Sequence, residues 1–207
     1  MRYPNARLLI FCKAPIEGEV KTRLTSAITP QQAVEVHKQL TRQTLALATA
    51  ENLCPIQLWC SPETQHSFFK ECQEKYPLTL HQQQGIDLGE KMYHAFKIAL
   101  QQSQQVLLIG CDCPSLQVKD LIRALEALMQ GFDVVLAPAE DGGYTLIGLK
   151  QALLELFVHV NWGTNQVLKT TLLKVHQQGL NVHLLAEQWD VDYPEDLRRY
   201  QREFDKN

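Results

Sequence analysis

Short runs of apolar residues alternate with stretches of helical periodicity, and this alternation restricts the fold more than any other feature of the sequence. The run 7–12 is apolar at nearly every position, which is typical of a strand buried on both faces. In the next segment Ala33, Val36 and Leu40 recur at helical spacing, which indicates one apolar helix face. Strands are predicted at 7–12, 55–60, 78–81, 105–111, 132–138, 144–149 and 181–185, and helices at 30–50, from Ser61-Pro62 onward, 87–102, 121–128, 165–178 and 194–204. The pattern predicts a single α/β domain over residues 1–207, a three-layer arrangement with helices on both faces of a mostly parallel sheet.

Length and charge exclude several classes of protein. A chain of 207 residues can bury a sufficient core without disulfides or a structural metal. Its net charge of −3 argues against general nucleic-acid binding, which needs a basic excess. No apolar run is long enough to span a bilayer, and the apolar run 8–12 before Lys13 is too short for a signal peptide. We therefore expect a cytoplasmic protein without a membrane span.

The six cysteines suggest free thiols, because the cytosol keeps thiols reduced. There is no C-x-x-C pair, and Cys111-Asp112-Cys113 has no second pair or nearby His that would complete a zinc site. The cysteines are therefore interpreted as structural or incidental.

The loop at 13–24 follows the first strand, and ligands of parallel sheets bind beyond the carboxyl ends of strands. It carries Lys13, Lys21 and Arg23 together with Gly18, a composition that suits a polyphosphate held by cations and backbone N–H groups. The glycines of a dinucleotide fingerprint and of a P-loop are missing. A solvated charged loop is the alternative.

Two further loops place carboxylates at strand ends. Asp112 follows the central strand, where it can bind a cation such as Mg²⁺ together with substrate phosphates, although Asp112 and Ser115 could instead cap the next helix. In the segment 140–144 the glycines are explained by a hairpin turn, but Asp141 is not. We interpret Asp141 as a metal ligand or general base.

Two later segments allow both a functional and a structural interpretation. Trp162 lies in a loop, where it can stack on a sugar or base or cover the core. Asp192, Glu195 and Asp196 precede or open a helix that begins with Pro194, so capping and the helix dipole explain them without a ligand.

Six motifs in register, from about residue 7 to 200, resemble the bacterial DUF2064 family of small glycosyltransferase-like proteins, also described as radical-SAM/selenodomain-associated transferases or arsenosugar-biosynthesis glycosyltransferases. The resemblance is carried by Phe11-Cys12-Lys13-Ala14-Pro15 with Gly18 and Lys21-Thr22-Arg23-Leu24, Asp87-Leu88-Gly89-Glu90-Lys91-Met92, Gly110-Cys111-Asp112-Cys113-Pro114-Ser115, Glu140-Asp141-Gly142-Gly143-Tyr144, Trp162-Gly163-Thr164 and the segment from Trp189 to Leu197.

The resemblance implies the nucleotide-diphospho-sugar transferase fold, which GT-A glycosyltransferases share with nucleotidyltransferases. It also implies that Asp112 binds the metal, whereas Pro114 stands where the second acid of the glycosyltransferase D-x-D pattern would be. Nucleotidyltransferases take their second acid from the C-terminal part, so Asp192 is the first candidate for the second ligand and Asp141 the next. The resemblance implies nucleotide binding by Lys13, Ala14, Pro15, Gly18, Lys21, Arg23 and Asp87, and we expect substrate binding by Gly142, Gly143, Tyr144, Trp162 and Thr164.

The function that the resemblance implies is a transferase dependent on Mg²⁺ or Mn²⁺ and acting on a nucleotide-activated substrate. A GT-A-type glycosyltransferase that uses a nucleotide sugar and a small-molecule acceptor is favoured. Lys21 would stabilise the departing nucleoside diphosphate, and Asp141 would position or deprotonate the acceptor hydroxyl. The alternatives are a nucleotidyltransferase that releases pyrophosphate and, in another class, a nucleotide-binding module without turnover.

Overall fold

A seven-stranded sheet forms the centre of the molecule in the computed structural model, which describes residues 1–204. The strand order is β3-β2-β1-β4-β6-β5-β7, and β6 is the strand that pairs antiparallel with its neighbours. The strands are β1 (Ala6–Lys13), β2 (Ile56–Ser61), β3 (Leu78–Gln82), β4 (Gln105–Ile109), β5 (Val134–Pro138), β6 (Tyr144–Leu149) and β7 (Val182–Leu184).

Helices cover both faces of the sheet, as the alternating pattern predicts. The helices are α1 (Pro30–Thr49), α2 (Ser67–Lys75), α3 (Leu88–Ala99), α4 (Val118–Met129), α5 (Val167–Gln177) and α6 (Pro194–Phe204), with short 3-10 helices at Thr22–Ser26 and Leu154–Leu156. One apolar layer joins the sheet to α1, α2 and α4, and a second joins its other face to α3 and α5. The three-layer α/β architecture and the mostly parallel sheet are thus confirmed.

The start of the second helix differs from the prediction. Ser61 still belongs to β2, where it pairs with Lys13 of β1, so the chain remains extended at the point where Ser61-Pro62 was expected to open a helix. Helix α2 begins at Ser67 instead, and the His66 side chain accepts a hydrogen bond from the Phe68 N–H. A Pro that follows an extended residue marks a turn as readily as a helix start.

The topology brings four loops to one edge of the sheet. Strands β1 and β4 are parallel neighbours, and β5 and β7 run in the same direction because β6 reverses between β4 and β5. Along the strand order the chain continues from β1 to β2 in one direction and from β4 to β5 in the other, which makes this place the switch point where such sheets bind ligands. The loops after β1, β4, β5 and β7 carry the charged motifs, so these motifs lie on a common surface.

Within residues 1–204, no helix has both the length and the apolar character that crossing a membrane requires.

Candidate functional site

Lys21 is the centre of the charged site at this edge. Its side chain is only 6% exposed, and its Nζ donates to Asp112 Oδ2 and to Asp192 Oδ1, each at 2.9 Å. The loop after β1, the loop after β4 and the segment before α6 therefore meet through one ammonium group. The first-choice pair of metal ligands, Asp112 and Asp192, lies on either side of it.

Asp112 is not a helix cap. Helix α4 begins later, and Asp120 Oδ2 accepts from the Gln117 N–H at the start of that helix. Ser115 instead exchanges hydrogen bonds with the backbone of Trp189. The carboxylate of Asp112 lies over the end of β4, where a Cβ on Gly110 would come within 2.8 Å of Asp112 Oδ1.

Asp192 is likewise free of a capping role, because Asp196 performs it. Asp196 Oδ2 accepts from the N–H groups of Asp192 and Tyr193 at the start of α6. The Asp192 carboxylate is therefore available to Lys21 and also accepts from Arg23 Nη1 at 3.0 Å. Arg23 also lies over the ring of Tyr193.

Asp190 completes the site, and the sequence interpretation did not select it. Asp112, Asp190 and Asp192 each offer a carboxylate oxygen within 4.8 Å of the other two. The signal was present in the W-D-V-D spacing, because residues two apart in an extended segment point to the same side. Val191 between them is fully buried and donates its N–H to the Asp112 carbonyl, which holds this segment against the loop after β4.

The charges alter the proton affinity of this group of acids. Burial, followed by the neighbouring charges of Asp112, Asp192 and Asp141, raises the pKa of Asp190 to about 7. Burial alone would also raise the pKa of Asp112, but the Lys21 ammonium outweighs it and holds this pKa below its usual value. Burial tends to lower the pKa of Lys21, yet the two carboxylates raise it above its ordinary value, so Lys21 is charged at neutral pH.

The three acids suit a hard divalent cation. Mg²⁺ prefers carboxylate oxygens and substrate phosphates to nitrogen or sulfur ligands. The three carboxylates lie beside Lys21 and Arg23 and still offer oxygens to a divalent ion. The charge of such an ion would favour the ionised form of Asp190, against the effect of burial and of the neighbouring carboxylates. Asp112, Asp190 and Asp192 are therefore the residues that fit a Mg²⁺ or Mn²⁺ ion, whereas Asp141 lies outside this group of three.

Two cavities open beside the acids. One of about 400 Å³ is lined by Arg23, Asp192 and Thr164 among others. The other, about 230 Å³, has Tyr144 and Trp162 in its wall. Asp141 and Asp190 line both, and so connect the two spaces.

Asp141 and the turn that carries it are held by short local bonds. Asp141 Oδ1 accepts from the Gly143 N–H at 2.8 Å, and the Gly142 carbonyl accepts from the Leu168 N–H at the start of α5. Gly142 has a φ of 87°, in the left-handed region that glycine adopts most readily. The hairpin turn predicted here is confirmed, and Asp141 lies exposed at its tip.

Five other residues were predicted to bind the nucleotide, namely Lys13, Ala14, Pro15, Gly18 and Asp87. None of them lines either cavity, which is also true of Lys21 and Asp112. Asp87 caps α3 through a hydrogen bond from the Glu90 N–H, and Ala14 is buried with its N–H bonded to the Ser61 carbonyl. Their roles toward a nucleotide stay predictions.

Comparison with known proteins identifies the family. Residues 44–164 match the model described as "Uncharacterized protein conserved in bacteria (DUF2064)", and the chain belongs to this family. The matched range includes Asp112 and Asp141, whereas Lys21, Asp190 and Asp192 lie outside it. No protein with curated annotation matches the chain.

Solved structures agree with the fold. A protein from Desulfovibrio desulfuricans G20, provisionally described as a nucleotide-diphospho-sugar transferase, is 30% identical, with a TM-score of 0.88 over 99% of this chain and 89% of that one. The 4-diphosphocytidyl-2C-methyl-D-erythritol synthase of Anaerococcus prevotii DSM 20548 has 12% identity and a TM-score of 0.67 over 98% and 99% of the two chains. A CMP-2-keto-3-deoxy-manno-octonic acid synthetase in complex with CTP has 8% identity and a TM-score of 0.64, also over 98% and 99%. The last two similarities show the fold alone.

Proposed function

We propose that this protein is a metal-dependent transferase that acts on a nucleotide-activated substrate. The observation that carries the proposal is the site itself, in which Lys21 and three carboxylates meet at the switch point of the sheet. A cation site lined by acids, with basic side chains beside it, is the arrangement that polyphosphate chemistry requires. The provisional description of the D. desulfuricans protein supports the same class of activity.

Each charged residue has a distinct task in this proposal. Asp112, Asp190 and Asp192 would hold Mg²⁺, which neutralises phosphate oxygens and stabilises a departing phosphate group when bound. Arg23 is half exposed, so its free N–H groups can donate to a phosphate while Nη1 remains on Asp192. Lys21 holds Asp112 and Asp192 together and adds positive charge next to the leaving group.

Glycosyl transfer is the first candidate reaction. The cavity of about 230 Å³ has aromatic walls, Tyr144 and Trp162, whose ring planes are nearly perpendicular. Aromatic rings beside carboxylates are suited to a sugar, because the rings contact its apolar face and the acids accept from its hydroxyls. Asp141 lies at the same cavity and would accept the proton of an acceptor hydroxyl.

Nucleotidyl transfer is the second candidate, and the origin of the acids favours it. Pro114 occupies the second acid position of the D-x-D pattern, and the carboxylates that join Asp112 come from the segment before α6. This is the arrangement that the family resemblance implies for nucleotidyltransferases. The reaction would join a nucleoside monophosphate unit to an acceptor and release pyrophosphate.

The leaving group decides between the two reactions. Purified protein with Mg²⁺ would be incubated with a panel of nucleotide sugars and nucleoside triphosphates in the presence of sugar phosphates and polyols as acceptors. Release of a nucleoside diphosphate from a nucleotide sugar identifies glycosyl transfer, and release of pyrophosphate identifies nucleotidyl transfer.

The controls separate this site from a contaminating activity. Asp112→Asn should lower the rate by about 10²–10³, the loss typical of one well-placed charged contact. Glu126→Gln changes a carboxylate of α4 that pairs with Arg2, and it should leave the rate unchanged. Nucleotide binding without turnover on the whole panel would contradict the transferase proposal and favour a binding module.

A further inference from the structure

Two thiols and one imidazole converge beneath the acidic site. Cys12 lies near the end of β1, Cys111 follows β4, and His37 projects from α1. Each offers one ligand atom within 4.8 Å of the other two, and all three residues are buried. Cys12 Sγ lies 3.7 Å from His37 Nε2. The expectation that no histidine lies near Cys111 is wrong in three dimensions, because His37 arrives from a distant part of the chain.

The sheet register explains why these groups meet. Ile10 of β1 lies opposite Ile109 of β4 in a parallel pairing, so Cys12 and Cys111, two residues further along each strand direction, come side by side on one face. Helix α1 covers that face. Thr41 follows His37 by one helical turn and places its hydroxyl 3.6 Å from Cys12 Sγ.

Packing alone does not require this set of side chains. A buried cysteine is an ordinary small apolar residue, but a 4% exposed histidine between two thiols is uncommon in an apolar layer. His37 Nε2 donates to the Lys13 carbonyl at 2.9 Å, so the same nitrogen faces Cys12 and the loop after β1. Among residues 1–204, no other cysteine belongs to a comparable group of three.

We propose that Cys12, Cys111 and His37 form a binding site for Zn²⁺, separate from the carboxylate site and independent of the proposed transferase function. Thiolate sulfur and imidazole nitrogen are the ligands that zinc prefers, whereas Mg²⁺ takes oxygen ligands. Two thiolates and a neutral imidazole balance the charge of Zn²⁺, so the complex is neutral, as a buried position requires. Binding releases the two thiol protons, and the imidazole proton moves from Nε2 to Nδ1.

The position of this site gives the ion a structural effect. Cys12 immediately precedes Lys13 and Cys111 immediately precedes Asp112, so one ion would join the origins of the two loops that bring Lys21 to Asp112. An ion that binds the folded state and not the unfolded state raises the thermal stability of the protein by mass action. Zn²⁺ should therefore raise the melting temperature of the protein.

Cobalt(II) is the spectroscopic probe of the proposed ligands. Full-length protein, kept reduced by a phosphine, would be titrated with Co²⁺, and thiolate ligation gives a sulfur-to-cobalt charge-transfer band in the near ultraviolet. X-ray absorption of the Zn²⁺ form should show sulfur at about 2.3 Å and nitrogen at about 2.0–2.1 Å. We expect one thiolate-bound ion per chain.

Matched variants test the assignment. Cys12→Ser, Cys111→Ser and His37→Gln should each weaken Co²⁺ binding at least tenfold. Cys54→Ser removes a buried thiol outside the group and should keep both the band and the affinity. Asp192→Asn, in the carboxylate site, should keep the band as well. Absence of the band in the unmodified, reduced protein would overturn the proposal, and this result does not depend on the folding of any variant. A band that persists with unchanged affinity in the Cys12, Cys111 and His37 variants would overturn it as well.

Discussion

Lys21 has a left-handed backbone conformation, with φ 48° and ψ 37°, although it carries a long side chain. This conformation costs a non-glycine residue about 1–3 kcal/mol and persists where the surroundings favour it. The two charge-assisted hydrogen bonds to Asp112 and Asp192 provide that stabilisation. Backbone strain at this residue is therefore coupled to the ion pairs of the proposed site.

The burial of Lys21 could not be predicted from the composition of its loop. The cations of residues 13–24 were expected to bind phosphates, with a solvated charged loop as the alternative. Neither interpretation predicted which of these side chains would be buried. Lys21 is buried between acids that lie 91 and 171 positions away in sequence, while Lys13 is exposed. Burial of a charge depends on partners from other loops, and no local pattern contains them. The placement of Asp112 at this edge could be predicted, because its position at the end of a buried strand is itself a local signal.

The acid cluster makes stability depend on pH through Asp190. Its folded pKa of about 7 exceeds the ordinary value of 3.8, so the folded state binds this proton more tightly than the unfolded state. Protonated Asp190 therefore stabilises the folded state relative to ionised Asp190. This contribution is fully present below about pH 4 and is lost as the pH rises through about 7. Asp190→Asn should therefore raise the melting temperature at pH 8 by at least about 2–4 °C, the shift that 1 kcal/mol gives in a chain of this size.

Thermal unfolding in a chelating buffer at pH 4 and pH 8 measures this effect. At pH 4 Asp190 is protonated in the folded state, and the variant should unfold close to the temperature of the original protein. An equal difference between the two proteins at both pH values would contradict the assignment of the raised pKa.

At the scale of elements, α3 provides the support for the aromatic cavity wall. Gly89 faces Trp162, and a Cβ at this position would lie 2.6 Å from the Phe157 carbonyl and 2.7 Å from Trp162 Nε1. The absence of a side chain allows the Trp162 loop to approach the helix closely. The strand and helix positions were largely predictable from periodicity, but this contact was not, because it joins residues of two elements distant in sequence.

Gly89→Ala tests this contact by the sign of its effect. A helix with glycine at an interior position is usually less stable than one with alanine by about 0.5–1 kcal/mol. Helix propensity alone therefore predicts that Gly89→Ala raises the free energy of unfolding. The close contacts predict a loss of about 1–3 kcal/mol instead, as in overpacked sites. Urea unfolding gives the free energy directly.

A double-mutant cycle with Trp162→Ala separates the two contacts of Gly89. The cost of Gly89→Ala should fall in the Trp162→Ala background, because only the Phe157 carbonyl then opposes the added methyl group. A stabilising Gly89→Ala substitution would show that the helix and the Trp162 loop are not closely packed.

Element contacts also hold the C-terminal helix to the site. Arg199 of α6 donates from Nη1 to both oxygens of Glu140 at 3.0 Å, and its guanidinium lies 4.1 Å from the centre of the Trp189 ring. Glu140 precedes Asp141, and Trp189 precedes Asp190. Helix α6 thus supports both loops that provide acids to the cavities, a role that helix capping alone did not suggest.

For the whole molecule, the sheet topology determines where the charges meet. The net charge of −3 argues only against general nucleic-acid binding, whereas the parallel strands β1, β4, β5 and β7 bring cations and acids of four loops to one edge. Strand order cannot be obtained from hydrophobic periodicity, so the sequence could predict the layers and not the pairing of Lys21 with Asp192. We propose that this edge binds a nucleotide through a divalent cation.

Calorimetry of nucleotide binding with and without Mg²⁺ tests this proposal. The original protein, Asp112→Asn and the control Glu126→Gln would be titrated with the tightest-binding nucleotide from a panel of triphosphates and nucleotide sugars. We predict that Mg²⁺ strengthens binding at least tenfold in the original protein and in Glu126→Gln, and that Asp112→Asn loses this dependence. Mg²⁺-dependent affinity that is unchanged in Asp112→Asn, or no nucleotide binding by the original protein in the presence of Mg²⁺, would show that Asp112 does not bind a nucleotide through a cation.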